Sequence, residues 1–356
     1  MDLYNNQYYL EDINDILNMK ISWEKLKDKS ILLSGATGLI GSLFIDVILE
    51  KNKIDNLNCR IYALGRNEEK AFKRFTKYTN DKFFNFIKHD VKKPLNFENI
   101  EKINYVIHLA SNTHPKLYST DPIGTIETNI LGVQNMLNFA AKNSSDRFIF
   151  ASSNEIYGEN RGDVELFNED YCGYINCNTL RACYPESKRC AEALCQAYKS
   201  QIGLNVGIAR FTRTYGPTMS FDDTKAISQF IKNSVNNKDI ILKSEGNQFY
   251  SYMYVLDAVS GLFYILLDGI NGEAYNIADE SGDIIIKDLA SYIAKISNSN
   301  LKYEIPDEVE KKGYSVVTKA RLNGNKLRGL GWKPYHDIYS GIDRTIKILK
   351  TLYKNL

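Results

Sequence analysis

The sequence predicts a doubly wound α/β fold on a parallel sheet, and three observations predict it. From residue 30 onward, short apolar runs alternate with longer amphipathic stretches, the pattern of strands buried on both faces and joined by helices. The first apolar run leads into Gly35-Ala36-Thr37-Gly38-Leu39-Ile40-Gly41, a glycine turn from strand to helix. The chain, 356 residues with 44% hydrophobic content, can bury one large core or two fused ones.

Taken in order, residues 1–29 come first, and Leu10, Ile13, Ile16 and Leu17 fall on one helical face. They predict a docked helical extension, with a lid or an oligomer contact as the functional alternative. Ile31–Ser34, Arg60–Leu64, Phe84–Lys88, Tyr105–Ala110, Arg147–Ser152 and Val206–Arg210 read as buried parallel strands. Between them the spacing is helical, as in Ile126, Ile130, Val133, Leu137 and Ala140. After Tyr215-Gly216-Pro217 the alternation loosens into a smaller mixed region with helices expected near 224–237, 257–268 and 287–297. We therefore divide the chain into the extension 1–29, a Rossmann-type dinucleotide-binding domain 30–211, and a region 212–356 that mainly binds substrate, some of whose elements return to the first domain.

The charge pattern excludes several partners. The 45 basic and 43 acidic residues, net +2, are spread along the chain, so no basic tract argues for nucleic acid or a membrane surface. Residues 31–49 are apolar but hold three glycines and Asp46, which predicts a buried strand-turn-helix and not a membrane span. The six cysteines lack the Cys-x-x-Cys spacing of zinc sites, so no metal is expected. Without a basic segment followed by an apolar core at Met1–Asn6, a cytoplasmic chain with free thiols fits.

Glycines at 35, 38 and 41 let a pyrophosphate approach the backbone, where the free N–H groups of the following helix stabilise its charge. A NAD site usually carries an acidic side chain at the tip of the second strand; this chain reads Ala63-Leu64-Gly65-Arg66-Asn67. A guanidinium there favours a 2′-phosphate, hence NADP(H) over NAD(H). The alternative is that Arg66 stacks on adenine while Glu68 or Glu69 holds the ribose of NAD(H). Asp90 and Val91, after the third strand, are expected against the adenine edge.

Further on, Tyr184 and Lys188 stand four apart on one helical face, where an ammonium beneath the phenol favours its ionised form. The fifth strand ends in Ser152-Ser153-Asn154-Glu155 at the carboxyl edge of the sheet, where ligands bind in such folds. With the glycine turn, Ser153, Tyr184 and Lys188 in this order, together with Ile107-His108-Leu109-Ala110, Asn129, Gly132, Tyr215-Gly216-Pro217 and Tyr254-Val255-x-Asp257, the chain resembles the extended short-chain dehydrogenase/reductase family of nucleotide-sugar epimerases, dehydratases, decarboxylases and reductases. The match runs from about residue 30 to 340.

The resemblance implies a nucleotide-diphosphate sugar as substrate, in surface-polysaccharide precursor synthesis, and a homodimer formed through the helices at 124–142 and 184–201. It implies that Thr37, Leu39, Ile40, Leu109 and Ala110 join the glycines at the cofactor, and that Ser111 and Asn154 touch the substrate. Tyr184 would exchange the proton of a sugar hydroxyl, Ser153 would orient that oxygen, and Lys188 would lower the phenol pKa and hold the ribose. Glu155 would be a base or a structural carboxylate.

Two positions depart from the family. Relatives commonly place Asn two residues before the Tyr of Tyr-Gly-Pro, and an Arg in a later Gly-x-Gln-x-Arg segment that binds the nucleotide phosphates. This chain has Arg213 and Tyr250, as though the cation had moved to Arg213; the alternative pairs Arg213 with Asp222 or Asp223. Loss of the second arginine argues against a decarboxylase, and Arg66 argues for a net reductase of a nucleotide-linked keto-sugar. The other reading is an epimerase, 4,6-dehydratase or decarboxylase working by internal redox with a retained cofactor. The intact Ser153, Tyr184 and Lys188 speak against a sensor without turnover.

Overall fold

Ile31 and Leu33 turn to one face of a central sheet and Leu32 to the other, and all three are fully buried. This two-sided burial is what a continuous apolar run requires. The computed structural model describes residues 3–97, 102–304, 306, 312, 314 and 317–353. Its central sheet contains β1 (Ser30–Ser34), β2 (Arg60–Gly65), β3 (Phe84–Lys88), β4 (Tyr105–His108), β5 (Arg147–Ser153), β6 (Val206–Phe211) and, later in the chain, β10 (Ala274–Ile277). All neighbours are parallel, in the order β10-β6-β5-β4-β1-β2-β3. The order reverses between β1 and β4, which opens a crevice at the carboxyl ends of the strands.

On one face lie α1 (Gln7–Leu17), α2 (Leu39–Asp55) and α8 (Val255–Asp268). On the other, α5 (Pro122–Lys142) packs on α6 (Cys183–Ile202). Residues 31–49 thus form strand, turn and helix. Among the described residues no helix is long and apolar enough to cross a membrane. The fourth strand stops at His108, two residues short of the expected end. There the chain bends into the crevice, with Leu109 N–H donating to Ser34 O at 3.2 Å and Ala110 N–H to Ser34 Oγ at 3.3 Å.

Beyond β6, β7 (Arg213–Tyr215) and β9 (Phe249–Tyr254) are parallel neighbours. β9 also pairs with β11 (Asp283–Ile285) and β13 (Lys319–Ala320), while β8 (Ile240–Leu242) pairs with β12 (Leu301–Tyr303). The helices expected there form as α7 (Ala226–Val235), α8 and α9 (Ile286–Ile296). Short polar-flanked strands such as β7 and β8 carry too little periodicity to be read beforehand.

The N-terminal extension is anchored by buried charge. Fully buried Asp46 of α2 accepts from the Tyr4 hydroxyl at 2.9 Å and from the Tyr9 hydroxyl, and pairs with Arg74 at 2.5 Å; Arg74 closes α3 (Glu68–Arg74). Arg344 of the C-terminal helix Ile338–Tyr353 holds Asp12 and Glu11 of α1, both at 2.8 Å. Since a hydrogen bond to a buried carboxylate contributes about 1.5–3 kcal/mol, Tyr9→Phe is expected to lower stability by that amount. Chemical denaturation of the variant measures it.

Candidate active site

Gly35 leaves β1 with φ +74° and passes so close to the end of β4 that a Cβ there would lie 2.8 Å from Ala110 N. A Cβ at Gly41 would lie 2.5 Å from Gly35 O, so the turn is closed on the protein side. Gly38 is the N-cap of α2 and meets only Gly35 O, at 3.1 Å, leaving the helix N-terminus open to the crevice. The crevice broadens into a cleft of about 2280 Å³. A single drug-sized ligand occupies roughly 300–1,000 Å³, so the cleft has room for a dinucleotide and a second nucleotide-sized ligand. Gly35, Thr37, Gly38, Leu39, Ile40, Gly41, Asp90, Val91, Leu109, Ala110 and Arg66 all line it. The residues present fit a dinucleotide.

Asn67 does not join them. Its carboxamide oxygen accepts from Lys70 N–H at 2.8 Å and caps α3, outside the cleft lining, because Asn before an acidic helix turn satisfies the helix's own donors first. Glu68 and Glu69, offered as ribose ligands, also lie outside the lining, whereas Lys70 and Lys73 lie within it. The extension reaches this end too, through Leu3, Tyr4, Asn5 and Asn6.

At the other end, β5 and α6 bring Ser153, Tyr184 and Lys188 together. Lys188 is 2% exposed, donates to Ala151 O at 2.8 Å, and lies 5.7 Å from the Tyr184 ring centre and 4.7 Å from that of Phe150. Burial drives its pKa down to about 7. The Tyr184 phenol is raised above its ordinary value, by burial first and the Glu155 carboxylate second; a hydrogen bond with Ser153 and the charge of Arg181 oppose them. The burial that raises the phenol also lowers the lysine, so among the protein's own groups the charge expected beneath the phenol is reduced.

Burying that ammonium opposes folding. A lysine with a lowered pKa destabilises fully below the folded value near 7, and the effect fades as pH rises towards the unfolded value of about 10.4. The cofactor-free Lys188→Met variant should melt above the wild-type protein at pH 6, with the gap closing towards pH 10 in a thermal scan.

Ser153 Oγ caps the turn after β5 by accepting from Glu155 N–H at 3.2 Å, and donates to Asn154 Oδ1 at 3.4 Å. Ser111 donates to Asn129 at 2.7 Å, and Asn129 to Ser187 of α6 at 2.9 Å, tying the end of β4 to the helix of Tyr184. Glu155 is not a lone base: Arg181 Nη2 donates to both of its oxygens at 2.6 Å. Tyr118, from α4 (Pro115–Thr120), stacks on Tyr184 with ring centres 4.8 Å apart. Reasoning from sequence missed both Arg181 and Tyr118. The spacing of Arg181, three residues before Tyr184, was the available signal; Tyr118 had none.

Arg213 lies over the Tyr250 ring, its guanidinium carbon 3.4 Å from the ring centre. Asp223 pairs instead with Lys225 at 3.0 Å and His114 at 3.3 Å. Buried Nη1 of Arg213 has no hydrogen-bond partner among the described residues.

A sequence profile described as the NAD dependent epimerase/dehydratase family matches residues 31–278. UDP-glucuronic acid decarboxylase 5 of Arabidopsis thaliana is 31% identical over 316 residues, covering 88% of this chain and 86% of its own. Among solved structures, UDP-glucuronic acid 4-epimerase from Bacillus cereus, in complex with UDP-glucuronic acid and NAD, superposes with a TM-score of 0.77 at 23% identity, over 91% of this chain and 100% of that one. dTDP-glucose 4,6-dehydratase from Streptomyces venezuelae gives 0.77 at 21%, over 90% and 97%; at these identities the likeness is one of fold. With a glycine turn and a Ser153–Tyr184–Lys188 cluster on a matching parallel sheet, the chain belongs to the NAD dependent epimerase/dehydratase family, the extended short-chain dehydrogenases/reductases.

Proposed function

We propose that this protein acts on a nucleotide-diphosphate-linked hexuronic acid, oxidising a ring hydroxyl and re-reducing the product with one retained cofactor, in the manner of UDP-glucuronic acid decarboxylases. The observation that carries the reading is the meeting of Tyr184, Ser153 and Glu155 in a cleft with room for two nucleotides, in a chain 31% identical to enzymes of that name. These relatives favour internal redox over the net keto-sugar reductase that Arg66 had indicated. A bound nicotinamide dinucleotide supplies hydride chemistry and, when oxidised, a positive charge. Tyr184 Oη takes the proton of the sugar hydroxyl and later returns it, and Ser153 Oγ holds the same oxygen. Once that oxygen is a carbonyl, a carboxylate on the neighbouring carbon makes a β-keto acid; it leaves as carbon dioxide, its bonding electrons pass to the carbonyl as an enolate, and that neighbouring carbon takes a proton before hydride returns to the ketone.

A second reading, 4-epimerisation, is favoured by Tyr250, since the loss of an arginine at that position argues against a decarboxylase. Incubation with UDP-glucuronic acid and catalytic cofactor, read by product mass, tests both. Loss of carbon dioxide supports the first, a new isomer of unchanged mass the second, and stoichiometric consumption of added NADPH on a keto-sugar would overturn internal redox. For the cofactor we propose NADP(H), supported by Arg66, Lys70 and Lys73 at the adenosine end; tighter binding of NADH than NADPH would refute it. We also propose a homodimer through α5 and α6, supported by exposed Ile123, Ile126 and Leu131 on α5, with sedimentation as the check.

A further inference from the structure

The Arg181 side chain is 12% exposed and spends one nitrogen, Nη2, on both oxygens of Glu155 at 2.6 Å. Its Nε and Nη1 are buried without hydrogen-bond partners among the described residues. Unmade hydrogen bonds of a buried guanidinium are costly, so its placement has a compensating cause. The guanidinium carbon lies 4.7 Å from the ring centre of Tyr118, and the Tyr118 ring stacks on Tyr184 at 4.8 Å and 27°. Arg181, Tyr118 and Tyr184 thus form one stack, with Glu155 held against its charged end.

We propose that Arg181 is a positioning residue of the reaction, pinning Glu155 beside Tyr184 and cancelling its charge there, so that the sugar hydroxyl meets the phenol and Ser153 and not a bare carboxylate. The proposal rests on Tyr184 as the proton-exchanging group. Arg181 acts through Glu155 and Tyr118. The groups facing the phenol are Ser153 from β5, Glu155 from the turn Asn154–Tyr157, Arg181 from the turn Leu180–Ala182, Tyr118 from α4, and Cys183 and Lys188 from its own helix. Glu155 raises the Tyr184 pKa and Arg181 lowers it. Removing Arg181 leaves the Glu155 charge unopposed.

The test needs no turnover. With 3-fluorotyrosine placed at position 184, the fluorine resonance of the cofactor-loaded protein reports ionisation of that ring directly. Arg181→Met should move the titration midpoint up by about one pH unit, the lower end of what a neighbouring opposite charge does. Arg181→Met with Glu155→Gln should bring it back, and Arg181→Lys should restore most of it. A midpoint unmoved in Arg181→Met, or displaced equally in the double variant, would overturn the proposal. Should Arg181→Met fail to fold, Glu155→Gln alone decides: a lowered midpoint upholds the coupling and an unchanged one refutes it. Failure of the sugar reaction itself would show in the product-mass assay and leave these midpoints untouched.

Discussion

Tyr184→Phe is expected to lower turnover by at least about 10²- to 10⁴-fold, the range for losing a positioned general acid–base group, and to leave cofactor affinity nearly unchanged. The ring is 6% exposed and stacks on Tyr118, so the substitution keeps shape and packing and deletes only the hydroxyl. That hydroxyl is hydrogen-bonded with Ser153 at the substrate end of the cleft. The protein's own groups hold the phenol above its ordinary pKa, so the phenolate is a minor species near neutral pH. Its population, and with it kcat/KM for the oxidative direction, should rise with pH. Steady-state kinetics together with a cofactor titration measure the effect; retained turnover in Tyr184→Phe would remove the phenol from the mechanism.

Arg213→Ala is expected to raise KM for the nucleotide sugar about 10- to 100-fold with a smaller change in kcat, since a charge-assisted hydrogen bond contributes about 1.5–3 kcal/mol. β7 and β9 run parallel with Arg213 opposite Tyr252, two residues from Tyr250, which places the guanidinium on the Tyr250 ring at 3.4 Å. On the proposed relocation, the cation that position 250 lacks would be carried at nearly the same place by its neighbour strand, with the phenol ring as its support. A diphosphate entering a partly dehydrated cleft requires such a cation. The exchange Arg213→Asn with Tyr250→Arg should recover most of the lost affinity, because it returns the guanidinium to the strand on which relatives carry it. An unchanged KM in Arg213→Ala would show that the phosphates are held elsewhere.

Much of this was legible from spacing. Continuous apolar runs announced the strands of the central sheet, the glycines at 35, 38 and 41 announced the turn between β1 and α2, and the interval from Tyr184 to Lys188 announced a shared helix face. Each depends on residues within one or two turns of chain, where local geometry leaves little choice. Local rules also compete with one another. Asn67 sat at the right distance from the glycine turn to be a cofactor ligand, yet the donors of its own helix claimed it.

Other features existed only once the chain had closed on itself. Nothing near Glu155 in sequence indicates Arg181, 26 residues on, as its partner, and nothing near Tyr184 indicates Tyr118 from before α5. Asp46 read simply as a charge that excluded a membrane span, whereas folding makes it the buried anchor of Tyr4, Tyr9 and Arg74. By itself the sequence determined the parallel sheet, the dinucleotide turn and the presence of a tyrosine–lysine pair, all set by periodicity and short-range sterics. Only the tertiary structure decided the charge around that tyrosine, because burial and ion pairing depend on which distant segments share the cleft.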